Sequence, residues 1–270
     1  MSDVPDQSNQ SDPSLRLLWR HRAGAREEPK TKRGPKQKVS VDEIVDAAID
    51  LADAEGLAAV TMRAIAQRFG LGAMTLYSYV PNRDALLVLM ADQVTGRAEL
   101  PELPADPRKR LELVANHTHD ELRAHPWLLE VQDVRPWLGP NMSERYEWQL
   151  QAVDGLGLSD LEMDQTVAVL VGFAGNIVRG ELMKRRAEQV TGMTEAEWWE
   201  ANYDTLNEVM AGSHYPLANR VGTAAGEAYQ AASDPARELD YGLARIIDGV
   251  LAHVERRSSG AADELSWTAG

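Results

Sequence analysis

His117, His119 and His125 are the first side chains to weigh as ligands, and their spacing separates them. Two residues along a helix is a turn of about 200°, so His117 and His119 cannot close on one metal ion. His125 follows six residues later, also off that face. The chain has no cysteine, which excludes disulfides and thiolate metal sites and permits a reducing compartment. It carries no glycine-rich phosphate loop, no serine nucleophile elbow and no Cys/His pair. No catalytic residue, metal or cofactor is therefore expected. The chemistry that remains is recognition through hydrogen bonds and apolar contact. It concentrates in one stretch, VTMRAIAQRFGLGAMTLYSYVPNR (Val60–Arg83).

That stretch predicts two short helices joined by a tight glycine turn. The first runs over Met62–Phe69, with Thr61 as N-cap and Ile65, Ala66 and Phe69 on one face. Gly70 supplies the left-handed conformation that ends it, and Gly72 keeps the turn small. The second helix covers about Ala73–Val80, with Leu76 and Val80 inward, and Pro81 stops it. At about 100° per residue, Met74 and Ser78 point away from that inner face. Thr75 and Tyr77 flank them, and Tyr79 is oblique. A buried side backed by an outer strip of small and hydrogen-bonding groups suits a helix entering a DNA major groove. On this reading Thr75, Tyr77 and Tyr79 anchor phosphates or base edges. Ala73, Met74 and Ser78 meet bases, and Arg63 reaches DNA from the start of the first helix.

The wider segment Val41–Met90 resembles the DNA-binding half of the tetracycline-repressor (TetR) family. The resemblance rests on Ala54-Glu55-Gly56 closing a helix, then TMRAIAQRFG, then TLYSYVPNRDALL. It implies a three-helix helix-turn-helix head. It also implies a fourth helix over about Arg83–Ala98 joining head to body, with Arg83 where the family places a phosphate-contacting base.

A net charge of −14 argues against DNA until its distribution is examined. Residues 1–83 sum to about +1, and nine bases crowd between Arg16 and Lys38. Charges on a surface act over about 8–10 Å, so a basic edge binds phosphate whatever lies behind it. Within that edge KTKRGPKQK, with Lys32, Arg33, Lys36 and Lys38, suits an extended arm in a minor groove, with a solvated basic linker as the other reading. Residues Met1–Ser14 read as disordered. Leu15–Arg22 reads as an unstructured tail, against a short basic amphipathic turn meeting DNA or a partner.

Scarce phenylalanine and an excess of Ala, Leu, Glu and Arg predict an all-α chain. The expected organisation is a disordered basic arm (1–38), a helix-turn-helix domain (39–99), a larger helical domain (105–257) and a loose tail (258–270). Ser40–Glu43 reads as a capping box opening a helix over about Val41–Glu55. Pro101, Pro104 and Pro107 mark the break between domains. Helices follow over about Pro107–Ala124, Trp127–Val131, Met142–Val153, from Ser159 to about Ala187, Trp198–Met210 and Asp234–Arg256. The acidic polar N-terminus is wrong for a signal peptide, and no apolar run approaches the roughly 20 residues of a membrane helix, so a cytoplasmic protein is expected.

The second domain resembles the TetR-type C-terminal domain through RAHPWLLEV, GPN and VLVGFAGNIVRG. This implies a homodimer joined by a four-helix bundle, built from the helices around Val167–Val178 and Leu239–Leu251. Two copies also fit the physics, since one short recognition helix reads only a few base pairs. The resemblance further implies a small-molecule effector pocket. Its candidate walls are Trp127, Trp137, Tyr146, Trp148, Phe173, Asn176, Trp198 and Tyr203, each of which also suits ordinary core. Asn176 stands out, because an amide inside an apolar helix needs partners. The function implied is a ligand-responsive transcriptional regulator, a repressor released from a palindromic double-stranded operator. A helical enzyme or a small-molecule-binding protein without DNA function is the alternative.

Overall fold

The computed structural model describes residues 13–22, 39–131, 139–211 and 214–259. Every regular element among them is helical: α1 (Pro13–Leu18), α2 (Val41–Glu55), a 3-10 turn (Leu57–Ala59), α3 (Met62–Arg68), α4 (Ala73–Leu76), α5 (Arg83–Arg97), α6 (Pro107–Ala124), α7 (Leu128–Val131), α8 (Pro140–Val153), α9 (Asp160–Thr191), α10 (Glu195–Val209), α11 (Pro216–Tyr229) and α12 (Pro235–Ser258). The chain forms two compact units. The first joins residues 1–104 to 120–154, and the second joins 105–119 to 155–270. Helix α6 therefore begins in the second unit and ends in the first.

The first unit is organised on α5. Leu86, Leu89 and Met90 of α5 are fully buried, and α1, α2, α7 and α8 all pack on this helix. Helix α2 starts at the expected capping box: Glu43 N donates to Ser40 Oγ at 3.2 Å, and Ser40 N donates to Glu43 Oε2 at 2.7 Å. Its apolar stripe, Ile44, Val45, Ala48 and Ile49, is buried.

The N-terminal segment departs from the expected tail. Pro13–Leu18 is helical, Leu18 is 3% exposed, and α1 packs on α5. Arg20 ties the segment to Asp42 of α2, and Arg22 pairs with Glu144 of α8. A helix of this length is marginal alone, and tertiary docking is what stabilises it.

In the second unit α9 packs along α12. A Cβ built on Gly242 of α12 would lie 2.2 Å from Phe173 Cζ, so that ring rests where only glycine leaves room. Helix α9 opens at its own capping box, with Glu162 N on Ser159 Oγ at 3.4 Å. The Glu162 carboxylate also meets His253 at 2.9 Å and Arg257. Hydrogen bonds from the Ser159 hydroxyl and backbone N–H come first in holding the Glu162 carboxyl down at about 2, with His253 and Arg257 adding to them. A carboxylate held below its unfolded value contributes stability that is complete above about pH 4.5 and disappears as pH falls toward 2. The Glu162→Gln variant should be less stable than wild type at neutral pH. The gap should close between about pH 4.5 and 2 in denaturant titrations. A gap independent of pH would rule out this ionic role.

Helix α9 also corrects the expectation that no run approaches membrane length. It holds an 18-residue window of mean hydropathy 1.3, long and apolar enough to cross a bilayer by length and composition alone, and a third of that window is buried in the protomer. Helices α10 and α11 bury none of their residues. Helix α11 escaped the sequence reading, although Pro216 sits at the first helical turn, where proline is favoured.

Candidate nucleic-acid interface

Helices α3 and α4 meet at a turn whose conformation follows from Gly70. Its φ is +63°, in the left-handed region, and it is flanked by a Schellman closure. Leu71 N donates to Ala66 O at 2.9 Å and Gly70 N to Gln67 O at 3.1 Å. Thr61 caps α3 through its hydroxyl, which accepts from Ala64 N at 3.1 Å. The inner faces are sealed: Ile65, Leu76 and Val80 are all 0% exposed.

The expected helix over Ala73–Val80 is shorter. Regular α-helix ends at Leu76 and continues as tight turns, with Ser78 N on Thr75 O at 3.1 Å and Tyr79 N on Leu76 O at 2.9 Å. Ser78 Oγ donates to the same Thr75 carbonyl at 2.6 Å, a local bond that competes with helical pairing. The outer strip survives this shortening. Thr61, Arg63, Gly72, Ala73, Thr75, Tyr77 and Ser78 are exposed, Tyr79 is half-buried, and Met74 is 83% exposed. Met74 thus stands outward directly above a closed core.

Arg83 is engaged differently from what the resemblance implies. Its Nε donates to Val60 O at 2.8 Å and its Nη2 to Leu57 O at 2.9 Å. The guanidinium thus braces the 3-10 turn that leads into α3 and fixes α5 to the helix-turn-helix. The arm residues Lys32, Arg33, Lys36 and Lys38 lie outside the described residues, as does Trp137.

Sequence reasoning missed a cluster beside the recognition turn. Asp42, in the first turn of α2, accepts from Arg20 Nε at 3.1 Å and pairs with His21 Nε2 at 3.1 Å. Burial works to raise its carboxyl, and the hydrogen bonds from Arg20 and His21 outweigh that, leaving it below the usual carboxylate range. A cavity of about 370 Å³ opens here, lined by Leu17, Arg20, His21, Asp42, Ser78 and Tyr79 among others.

The candidate effector walls divide between the two units. Trp127 and Trp148 are buried in the first. Their indole N–H groups are already satisfied, by Asp53 Oδ1 at 2.7 Å and by Pro101 O at 2.9 Å. Phe173, Asn176 and Trp198 belong to the second. Asn176 is exposed on α9 rather than buried, and Trp198 stacks edge-on against Trp199 with centroids 5.4 Å apart. None of these residues is among those lining the 370 Å³ cavity.

A sealed two-helix corner presenting an exposed strip, followed by a larger helical domain, defines a helix-turn-helix regulator. Comparison with known proteins makes the class specific. The profile of bacterial regulatory proteins of the tetR family matches residues 44–90, and that of the tetracyclin repressor-like C-terminal domain matches residues 100–254. The chain is 36% identical over 246 residues to the HTH-type transcriptional repressor DrrR1 of Streptomyces coeruleorubidus, covering 90% of this chain and 87% of that one. Its structure resembles that of apo ActR from Streptomyces coelicolor, with a TM-score of 0.63 and 28% identity over 81% of this chain and 99% of ActR. ActR bound to actinorhodin matches equally well, also at 0.63. The chain belongs to the TetR family of DNA-binding transcriptional regulators, and it is not an enzyme.

Proposed function

We propose that this protein is a dimeric, cytoplasmic repressor that leaves a palindromic operator when a small molecule binds its second unit. The observation that carries the reading is the strip itself, with Met74 at 83% exposure over Leu76 and Val80 at 0%. Ala73, Met74 and Ser78 meet base edges, with Met74 and Ala73 suited to a thymine methyl. Thr61, Arg63, Thr75, Tyr77 and Tyr79 hold phosphates or base edges, and Lys32, Arg33, Lys36 and Lys38 extend the contact from the arm. Repression follows from occlusion of the promoter by a relative of a repressor.

The second unit supports pairing. Along α9, Leu161, Gln165, Val169, Gly172, Asn176, Gly180 and Met183 are exposed at three- and four-residue spacing, which places them on one face. A second copy laid on that face covers the apolar window and supplies a partner for the Asn176 amide. Ligand binding is proposed for the same unit, with Phe173 and Trp198 as walls, because α10 and α11 are thinly covered and ActR, a relative, is known with bound ligand.

Selection of duplexes from a random pool should return an inverted repeat with half-sites about one or two helical turns apart, and compounds that displace it should raise the melting temperature. A monomer with no salt-sensitive preference for any duplex would overturn the reading.

A further inference from the structure

We propose that α1 and the two residues after Arg20 form an additional part of the DNA-binding surface, in which His21 contacts a backbone phosphate next to the recognition turn. The proposal rests on the reading of α4 as the DNA-facing helix and extends it to a segment outside the helix-turn-helix.

The segment is placed by three fastenings, all within the first unit. Leu18 is buried against the α5 layer, Arg20 is bound to Asp42, and Arg22 to Glu144. Arg20 is fully committed to this role, since Nε and Nη2 serve Asp42 and Nη1 donates to Leu17 O at 2.7 Å. His21 is not committed in the same way. Its side chain is 66% exposed, and one ring nitrogen rests 3.1 Å from Asp42. The cavity it lines is also lined by Ser78 and Tyr79 of the recognition turn. At about 370 Å³ it has room for the phosphate and sugar of one nucleotide. From Pro13 to Arg22 the chain carries Arg16, Arg20, His21 and Arg22 and no acidic residue.

The geometry also gives Asp42 a purpose. A lone carboxylate at this edge would repel phosphate. Bound by Arg20 and His21, it becomes the anchor that orients the ring, and the imidazolium form donates one N–H to the carboxylate and the other to a phosphate oxygen. Arg20 is then a positioning residue and His21 the contacting one.

The test measures duplex binding by fluorescence anisotropy across a salt series, using both the selected operator and an unrelated duplex. Four full-length proteins are compared: wild type, His21→Ala, His21→Lys and Tyr77→Ala. Neutralising one phosphate contributes about 0.9 to the slope of log K against log salt. His21→Ala should weaken binding about five- to thirtyfold per dimer and flatten the slope by roughly 1.8, equally on both duplexes, because phosphate contacts carry no sequence information. His21→Lys should restore the slope. Melting temperature should be unchanged in both, since His21 is exposed and Arg20 holds the segment. The inference is overturned if His21→Ala keeps affinity and slope while Tyr77→Ala loses operator binding. Should Tyr77→Ala bind as wild type, the DNA-facing reading of α4 falls and this inference falls with it.

Discussion

Tyr77→Ala is expected to lose operator binding by two to four orders of magnitude while folding and pairing normally. The ring stands at the end of α4, 43% exposed, over a turn whose inner residues are completely closed. Its removal leaves no cavity, so melting temperature should move by no more than about 0.5 kcal/mol allows. A hydrogen bond to a charged phosphate is worth about 1.5–3 kcal/mol. A symmetric dimer loses it twice, about 3–6 kcal/mol, and each 1.4 kcal/mol is a factor of ten in affinity. Tyr77→Phe isolates the hydroxyl and should account for most of the loss if the contact is a phosphate. Adding Arg63→Ala should abolish gel-shift retention altogether, since Arg63 is exposed at the start of α3. Retention of the operator by the double variant at wild-type protein concentrations would remove α3 and α4 from the interface.

The head was legible in the sequence because each of its elements is fixed by local chemistry. Ser40 and Glu43 cap α2, Thr61 caps α3, Gly70 alone takes a positive φ at the turn, and Asn82 Oδ1 caps α5 by accepting from Ala85 N at 2.7 Å. Such signals act within four residues and need no knowledge of the fold. What the sequence did not disclose depends on residues brought together from afar. Arg83 matches a family pattern for contacting phosphate, yet Val60 and Leu57, more than twenty residues away, claim its guanidinium. The docking of α1 depends on Asp42 and Glu144, which no local pattern links to Arg20 and Arg22. Asn176 illustrates the converse. Periodicity set it in an apolar stretch, but Val167–Val178 of α9 is apolar nearly all round, so periodicity could not say which side faces the protomer core. Trp127 and Trp148 look like pocket walls by composition, and only the structure reveals that Asp53 and Pro101 already satisfy them.

Asp92→Ala is the second large effect expected, and it bears on how α5, the helix that carries the head, is held. Asp92 is nearly buried in α5 and receives the start of α8: its Oδ1 accepts from Asn141 N at 3.1 Å and Met142 N at 3.0 Å. Asn141 Nδ2 donates to the Asp92 carbonyl at 3.0 Å and to Oδ2 at 3.1 Å. One turn on, Arg145 Nη2 binds Glu121 at 2.9 Å and reaches the Thr95 carbonyl. The approach is so close that a Cβ on Gly139 would lie 2.0 Å from Asp92 Oδ1, and one on Gly96 would lie 2.5 Å from Asn141 Cγ. Truncation at Asp92 strands the two half-buried N–H groups of Asn141 and Met142. Each costs about 1–2 kcal/mol, the lower part of the range for a lost acceptor because water reaches them in part, so a loss of about 2–4 kcal/mol is expected. In a domain of this size that is roughly 5–15 °C of melting temperature. Burial raises the Asp92 carboxyl above its usual range, and the N–H groups of Met142 and Asn141 only partly offset it. A carboxyl raised on folding favours the native state at low pH and loses that contribution as pH rises through the raised value. Asp92→Asn keeps an acceptor for the two N–H groups and removes the titration. It should therefore cost less than alanine at neutral pH, and fall further behind wild type as the solution is acidified. Gly139→Ala alone should cost as much as Asp92→Ala, because its methyl group drives the carboxylate out of place. In the Asp92→Ala background the same methyl meets no carboxylate, so the double variant should be far more stable than the sum of the two losses predicts. Strict additivity in that cycle would mean that Gly139 and Asp92 do not form a single joint between α5 and α8.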